Sequence, residues 1–561
     1  MNRKSLIMLS AVGLLALTGC SKKLNQFNAE YFSVNPSPLE VVGQRVPATV
    51  TGHVPQKFFV KNAEVTVTPY LVFDGQEVAS QSYSFQGEKV RGNNPVIYYE
   101  QGGTVTIPVM FNYQPEMRKS ELELAFEVTQ GNKKYTLPRV KVADGVVATA
   151  ALADAGTVAP AIAPDAFQRI INEKYAADIR FLVNRANLRA SETGSQQVLN
   201  LNEQLQAANA AENREIAEIN ISSYASPEGG LDFNTRLAEK REKATTEYMR
   251  KQLNKDKITE FGELTAQFTA EDWEGFQRLV AASDIQDKEL ILNVLSRFKD
   301  PEEREQQIRN LSSIFDQLAE QILPQLRYSR ITASINVIGK SDEEIMNLFT
   351  TNPSALNVEE VLYAATLVTE GTDKYSVYNT AATLYPNDYR AYNNLGMMQY
   401  EAGDYEAAKA SFAAAARLNP SAAEPQMNLG LIALVNKDYR QANQKFGNAA
   451  GLEELDGALG TYYLLSGDNT AAVKAFGNTA SNNAALAQIL TKDYSKAKST
   501  LAGITNPDET TYYLLAVLGA RTNNEQMVKT NLRQAVKLNR NLYDVAQKDL
   551  EFANFNLAAI F

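Results

Sequence analysis

A single cysteine, Cys20, in 561 residues excludes an intrachain disulfide and any metal site built on thiolates. A single histidine, His53, excludes histidine-rich metal sites and leaves no second imidazole for a relay. It falls on a β-rich segment and is assigned no role. Tryptophan also occurs once, and Trp273 recurs with Phe276, Leu279 and Val280 at helical spacing, which reads as core. No basic run is long enough for a nucleic-acid footprint, and 65 acidic against 55 basic side chains leave a net charge of −10. Gly-x-Ser-x-Gly, a phosphate-cradling glycine loop and metal-ligand spacings are all missing. The paired acids Glu302-Glu303 and Glu453-Glu454 read as exposed helix residues. The expectation is a non-enzymatic chain with no cofactor and no metal.

What is present falls into segments. Arg3 and Lys4 precede an apolar run, Leu6 to Leu17, that is too short for an ordinary membrane span. Leu17-Thr18-Gly19-Cys20 follows, and the one cysteine of the chain closes it. This resembles a lipobox. The resemblance implies a lipoprotein signal peptide over residues 1–19 and an acylated Cys20 opening a lipidated tether, 20–35. Several acyl chains anchor durably, since each buried methylene contributes about 0.8 kcal/mol. By analogy with known lipoproteins, Ser21 in place of an aspartate after the cysteine implies sorting to the outer membrane, and Ser21-Lys22-Lys23-Leu24-Asn25 lacks the acidic cluster of the surface-export tag of Bacteroidota lipoproteins, which implies the periplasmic side.

Residues 36–145 read as an all-β sandwich. Val65, Val67, Leu71 and Phe73 alternate with polar residues, as do Val105, Ile107, Val109 and Phe111, and Leu122, Leu124, Phe126 and Val128. Gln130-Gly131-Asn132 signals a hairpin, and Pro69, Pro108 and Pro138 point to edge strands or bulges. The sandwich is either a docking module or a spacer. Residues 146–165, rich in Ala, Val, Thr and Pro, read as a linker.

In the middle of the chain a strand, Ile219 to Ser223, is broken by Ser226-Pro227-Glu228-Gly229-Gly230. A helix then carries Phe233, Leu237, Ala244, Tyr248 and Met249 roughly on one stripe. Ile179, Phe181 and Val183 predict an earlier strand, Ser191 a helix N-cap, and Arg330 to Val337 a last strand. Gly229, Asn234, Leu237 and Arg241 match the strand–loop–helix hallmark of OmpA-like periplasmic domains. The Ala-Ser-Pro-Glu-Gly loop resembles the form found in Bacteroidota lipoproteins. The resemblance implies a βαβαββ-type α/β domain over 166–339, with two helices inserted within 256–327. It also implies a peptidoglycan site at Ser226, Glu228, Asn234 and Arg241. Family members hold the zwitterionic end of diaminopimelate with an aspartate and an arginine. Here Ser226 replaces the aspartate, and Glu228 is the nearby carboxylate.

Residues 340–561 repeat. Leu395 and Leu429, Gly396 and Gly430, Tyr405 and Tyr439, Ala408 and Ala442, and Phe412 and Phe446 are each 34 apart. This resembles the tetratricopeptide repeat. About five units are expected, the first over Val358–Pro386, and Leu550, Phe552 and Phe555 either cap the stack or face a partner. Arg390, Asn393 and Met397 share a helical face that would line a peptide groove, Asn393 holding a backbone and Arg390 a carboxylate.

Together these resemblances imply a scaffold or adaptor in a cell-envelope protein complex, serving β-barrel assembly, secretion or fibre assembly. Its partners would be outer-membrane lipid through Cys20 and envelope protein through the repeats, with no nucleic acid. The alternative is a tether that binds peptidoglycan through the OmpA-like domain.

Overall fold

The computed structural model describes residues 25–310, 312–368 and 371–561. The expected signal peptide and Cys20 lie outside the described residues. Two compact units emerge, one made of the chain through Pro164 together with Val368–Phe561, the other of Asp165–Leu367.

The first unit begins as a β-sandwich. One sheet runs β1 (Phe32–Asn35), β3 (Arg45–Val54), β8 (Gly103–Asn112), after a short β2 (Leu39–Glu40) that stands apart. The other contains β4 (Ala63–Phe73), β5 (Gln76–Ala79), β6 (Tyr83–Gly87), β7 (Val96–Ile97), β9 (Glu121–Gln130) and β10 (Lys133–Asp144), in the order β10-β9-β4-β6-β7 with β5 beside β4. Period-two patterning makes these strands. Every second residue of β4 is buried, and Leu71, Ile107, Leu124 and Val128 are sealed between the sheets. Each such side chain contributes about 1.5–3 kcal/mol on burial. The hairpin at Gly131 turns through φ +58°, which glycine adopts without a Cβ clash.

The prolines divide. Pro108 sits on the edge strand β8, and Pro138 at a register shift between Leu137 and Val140. Pro69, however, lies in the central strand β4, opposite Leu124. It is tolerated because the ladder to β6 ends at Val67 and the ladder to β5 begins at Tyr70, so no partner there requires its missing N–H.

Residues 146–164 are not a free linker. β11 (Val146–Val147) pairs in parallel with β2, and the chain then runs through two 3-10 turns, Thr149–Leu152 and Ala155–Thr157. Ala161 and Ala163 are completely buried. Small apolar residues in this stretch pack closely where a solvated linker would carry polar ones.

The second unit is an α/β layer. In chain order it comprises β12 (Ile170–Arg180), α1 (Ala190–Thr193), α2 (Gln196–Ala210), β13 (Arg214–Tyr224), α3 (Leu231–Lys255) and β14 (Glu263–Thr269), and later β15 (Tyr328–Ile338). The sheet order is β12-β15-β13-β14, with only the β13–β14 pair parallel. Four helices, not two, are inserted between β14 and β15: α4 (Trp273–Ala282), α5 (Lys288–Arg297), α6 (Pro301–Arg309) and α7 (Ser312–Gln321). They close around their own core of Phe276, Val280, Ile291 and Leu318. Trp273 is half-buried at its edge, its Nε1 donating to Glu271 at 2.9 Å. Ser191 falls inside α1 rather than capping a helix, and Ser195 precedes α2. On α3 the buried stripe is Asn234, Ala238, Arg241, Thr245, Met249 and Leu253, one residue out of step with the apolar pattern, and Phe233 is exposed. Helices α8 (Asp342–Thr351) and α9 (Val358–Leu367) complete this unit, so the boundary to the repeats falls near 368 instead of 340.

The repeats then rejoin the first unit. α10 (Gly371–Leu384) leads into five helical hairpins. These are α11 (Tyr389–Glu401) with α12 (Tyr405–Leu418), and α13 (Ala423–Val435) with α14 (Tyr439–Gly447). Then come α15 (Leu455–Ser466) with α16 (Asn469–Phe476), α17 (Asn482–Leu490) with α18 (Tyr494–Ala502), and α19 (Glu509–Arg521) with α20 (Glu525–Leu538). α21 (Leu542–Lys548) follows. Each second helix opens on a capping side chain, Asp404, Asp438, Asp468, Asp493 or Asn524, that accepts the N–H three residues on. Within three hairpins a glycine lets a phenylalanine lie on the backbone. A Cβ on Gly396, Gly430 or Gly460 would stand 2.7, 2.5 or 2.5 Å from Phe412, Phe446 or Phe476. At the end of the array Phe552 is buried against Tyr513 and Phe555 is half-buried, so these aromatics cap the stack.

Candidate functional site

The face formed by the first helices of the hairpins is occupied by the chain itself. Asn394 on α11 accepts the N–H of Ala163 at 2.9 Å and donates to its carbonyl at 2.8 Å. Asn428 on α13 grips Ala161 in the same way, at 2.7 and 2.8 Å. Asn483 on α17 grips Asp154, at 3.1 and 2.7 Å. A primary amide carries one acceptor and a paired donor, so each asparagine satisfies both main-chain groups of one residue and reads no side chain. Asn393 donates to the Ala161 carbonyl at 2.9 Å and accepts from Asn428 at 3.0 Å, joining two clamps into one network. Tyr400 donates its hydroxyl to the Ala155 carbonyl at 2.7 Å, and burial raises its pKa well above the ordinary phenol value. The segment runs against the order of the repeats, from Asp154 near the fourth hairpin to Ala163 at the first. Its residues are small by necessity. A Cβ on Gly156 would meet the Tyr405 hydroxyl at 2.4 Å.

Of the three groove residues expected from the sequence, Asn393 does hold a peptide backbone, and that backbone belongs to residue 161 of the same chain. Arg390 turns back to Asp388 with a bidentate contact at 3.1 and 2.8 Å, bracing the start of α11. Met397 lies half-buried on the same helix.

The loop after β13 brings Ser226 and Glu228 together. The Ser226 hydroxyl donates to Glu228 Oε1 at 2.9 Å. Arg327, at the foot of β15, clasps the same carboxylate through Nε at 3.0 Å and a second nitrogen at 2.8 Å. Arg309 of the inserted α6 donates to the Glu228 carbonyl. Asn234 ties back to the Gly229 carbonyl at 2.6 Å and to Glu271 at 3.3 Å. Arg241 is apart from these contacts and only 1 % exposed. It donates to three carbonyls, of Tyr224 at 2.7 Å, Arg185 at 3.0 Å and Leu182 at 3.3 Å. Burial, and then the like charge of Arg327, lower its pKa to about 10. The four residues therefore brace a loop. The carboxylate is neutralised by Arg327 and the guanidinium is spent on main chain, so neither end of a zwitterion finds a free partner here. Beside the loop, an open hollow of about 470 Å³ is lined by Val183, Glu228, Phe233, Arg309 and Phe315 among others.

Sequence reasoning missed Asn394, Asn428 and Asn483, yet a signal existed. Each stands ten residues before the aspartate that caps the second helix of its hairpin, and the first two are 34 apart. The third hairpin has Ala458 at this position, and the chain segment makes no amide clamp there. Arg327 was missed because its partnership with Glu228 crosses 99 positions.

Among the described residues no group of three or more His, Cys, Asp or Glu side chains is arranged to hold a metal ion, and no helix is long and apolar enough to cross a membrane. No curated protein matches the sequence. Among solved structures, a tetratricopeptide repeat protein from Parabacteroides merdae is 13% identical, with 37% of this chain and 90% of that one covered and a TM-score of 0.29. PilF of Pseudomonas aeruginosa is 14% identical, with coverages of 39% and 100% and a TM-score of 0.29. YrrB, a repeat protein with an unusual peptide-binding site, is 22% identical, with coverages of 29% and 92% and a TM-score of 0.22. Scores this low carry nothing about function. Residues 389–421 match the tetratricopeptide repeat family model, and the C-terminal hairpins are repeats of that kind, a protein-interaction architecture.

Proposed function

We propose that this chain is a non-enzymatic scaffold of the cell envelope, lipid-anchored through Cys20 to the periplasmic side of the outer membrane. It would serve a complex for β-barrel assembly, secretion or fibre assembly. The observation that carries this reading is the segment clamped by Asn394, Asn428 and Asn483. It welds the sandwich and the repeats into one platform and fills the inner face, leaving the outer faces of the hairpins for partners. The OmpA-like resemblance of the middle unit belongs to the same proposal, as a fold put to protein docking. Photo-crosslinkers placed along the exposed faces of α12, α14 and α20 in intact cells test it. Specific protein adducts support the scaffold, and their absence along the whole array sinks it. Loss of fatty-acid labelling in Cys20→Ser would support the anchor.

The tether reading is disfavoured by the contacts of Glu228 and Arg241. Co-sedimentation of the chain with purified sacculi separates the two. Background sedimentation is expected. Strong sedimentation, abolished by Glu228→Gln without loss of folding, would restore the tether.

A further inference from the structure

With the inner face filled, the repeat unit shows another polar surface. Lys529, Arg533 and Lys537 lie four residues apart on α20, and Arg540 follows three residues later. The opposite side of α20 is core, through Val528, Leu532 and Ala535. From Lys529 to Lys537 the helical part of the stripe spans about 12 Å at 1.5 Å per residue, the length of about four residues of extended chain, and Arg540 lies just beyond the helix end. Among the described residues none of these four cations is paired with a carboxylate, although acids outnumber bases over the chain; Lys529 is half-buried, Arg533 donates through Nε to the Ile560 carbonyl, and Lys537 and Arg540 are exposed. Beside the stripe is a hollow of about 590 Å³, walled by Arg533, Val536, Lys537, Arg540, Tyr543 and Phe561. Tyr543 and Phe561 meet edge to face at 5.0 Å and are 41% and 42% exposed.

We infer that this hollow is a docking site for an acidic segment of a protein partner, two or more carboxylates lying along the stripe and one apolar side chain seated against Tyr543 and Phe561. The inference rests on the scaffold reading and gives it a place. Unneutralised cations in an acidic protein favour an anionic partner, and aromatic walls add an anchor. The depression is open, and its exposed aromatic walls favour a partner that brings an apolar side chain to them over a lipid headgroup surface, which brings none.

The test uses the full-length chain in a neutral detergent and a fluorescent peptide, Glu-Asp-Leu-Glu-Phe-Asp-Glu, with Gln-Asn-Leu-Gln-Phe-Asn-Gln as its uncharged counterpart. The acidic peptide should bind with micromolar affinity at low salt and lose roughly tenfold as salt rises to physiological strength and beyond. Lys537→Glu with Arg540→Glu should weaken it roughly tenfold or more, Tyr543→Ala by roughly threefold, and Lys474→Glu on another hairpin not at all. Equal binding of both peptides, no binding, or indifference to the paired charge reversal overturns the inference. So does flotation of the chain lacking acylation (Cys20→Ser) with phosphatidylglycerol vesicles that the same reversal abolishes, which would assign the stripe to lipid. Peptide failure alongside protein crosslinks elsewhere on the array would remove this site and leave the scaffold standing.

Discussion

Replacing Asn428 by alanine should release the segment it holds. The Asn428 side chain makes three hydrogen bonds, with the Ala161 N–H at 2.7 Å, the Ala161 carbonyl at 2.8 Å and Asn393 at 3.0 Å. The carbonyl keeps Asn393 as a partner, at 2.9 Å. The N–H keeps nothing, and Ala161 is completely buried. An unpaired buried donor costs about 1–3 kcal/mol, and the two other lost bonds add about 1 kcal/mol net between them. A local destabilisation of roughly 2–4 kcal/mol follows, which raises the population of the open state about 30- to 700-fold. Hydrogen exchange followed by mass spectrometry reads this directly in peptides covering 149–164. Asn428→Leu, of similar volume, should accelerate exchange as much, which assigns the effect to the amide and not to a cavity. Peptides from α2 in the other unit should not change. Unaltered protection across 149–164 in both variants would refute the clamp.

Three further outcomes are expected. Gly430→Ala should lower stability by about 1–3 kcal/mol because its Cβ would stand 2.5 Å from the buried Phe446 ring, whereas Gly447→Ala, with open space around it, should be neutral or slightly stabilising in thermal unfolding. Arg241→Ala should destabilise the middle unit by roughly 2–3 kcal/mol, since the Tyr224 and Arg185 carbonyls lose its guanidinium while the Leu182 carbonyl keeps the Arg185 N–H, and limited proteolysis near Leu182 and Tyr224 would show it. Burial raises the pKa of Asp549, against the hydroxyl of Tyr513 that donates to it at 2.6 Å. Above its unfolded value of about 4 the folded state therefore keeps a proton the unfolded chain has lost. Stability contributed by this group falls as pH rises through that window, and Asp549→Asn should flatten the dependence there when urea midpoints are compared from pH 4 upward.

How much of this was legible depended on whether a constraint acts locally. Alternation in β4, the 34-residue spacing of Gly396 and Gly430 and the turn at Gly131 are set by neighbours within a strand or a hairpin, and each was readable from the chain. The number of inserted helices was not, because four short helices packed on Phe276 and Leu318 leave only brief periodic traces. Composition misled at residues 146–164. Alanine, threonine and proline resemble a flexible linker, but the same smallness is what lets a segment lie flat on helices while asparagines take its main chain. The expected binding loop erred for a related reason. Matching Arg241 to a motif gave its position on α3 without its depth, and depth decides whether a guanidinium serves ligand or backbone. A residue type at the right spacing thus fixed the fold's local element, while the role of each polar side chain was decided by carbonyls and carboxylates tens or hundreds of positions away: Leu182 for Arg241, Arg327 for Glu228, Ala161 for Asn428. Those partnerships leave Lys537 and Arg540, at the end of α20, as a place where the charge of the repeat unit faces solvent with no carboxylate against it.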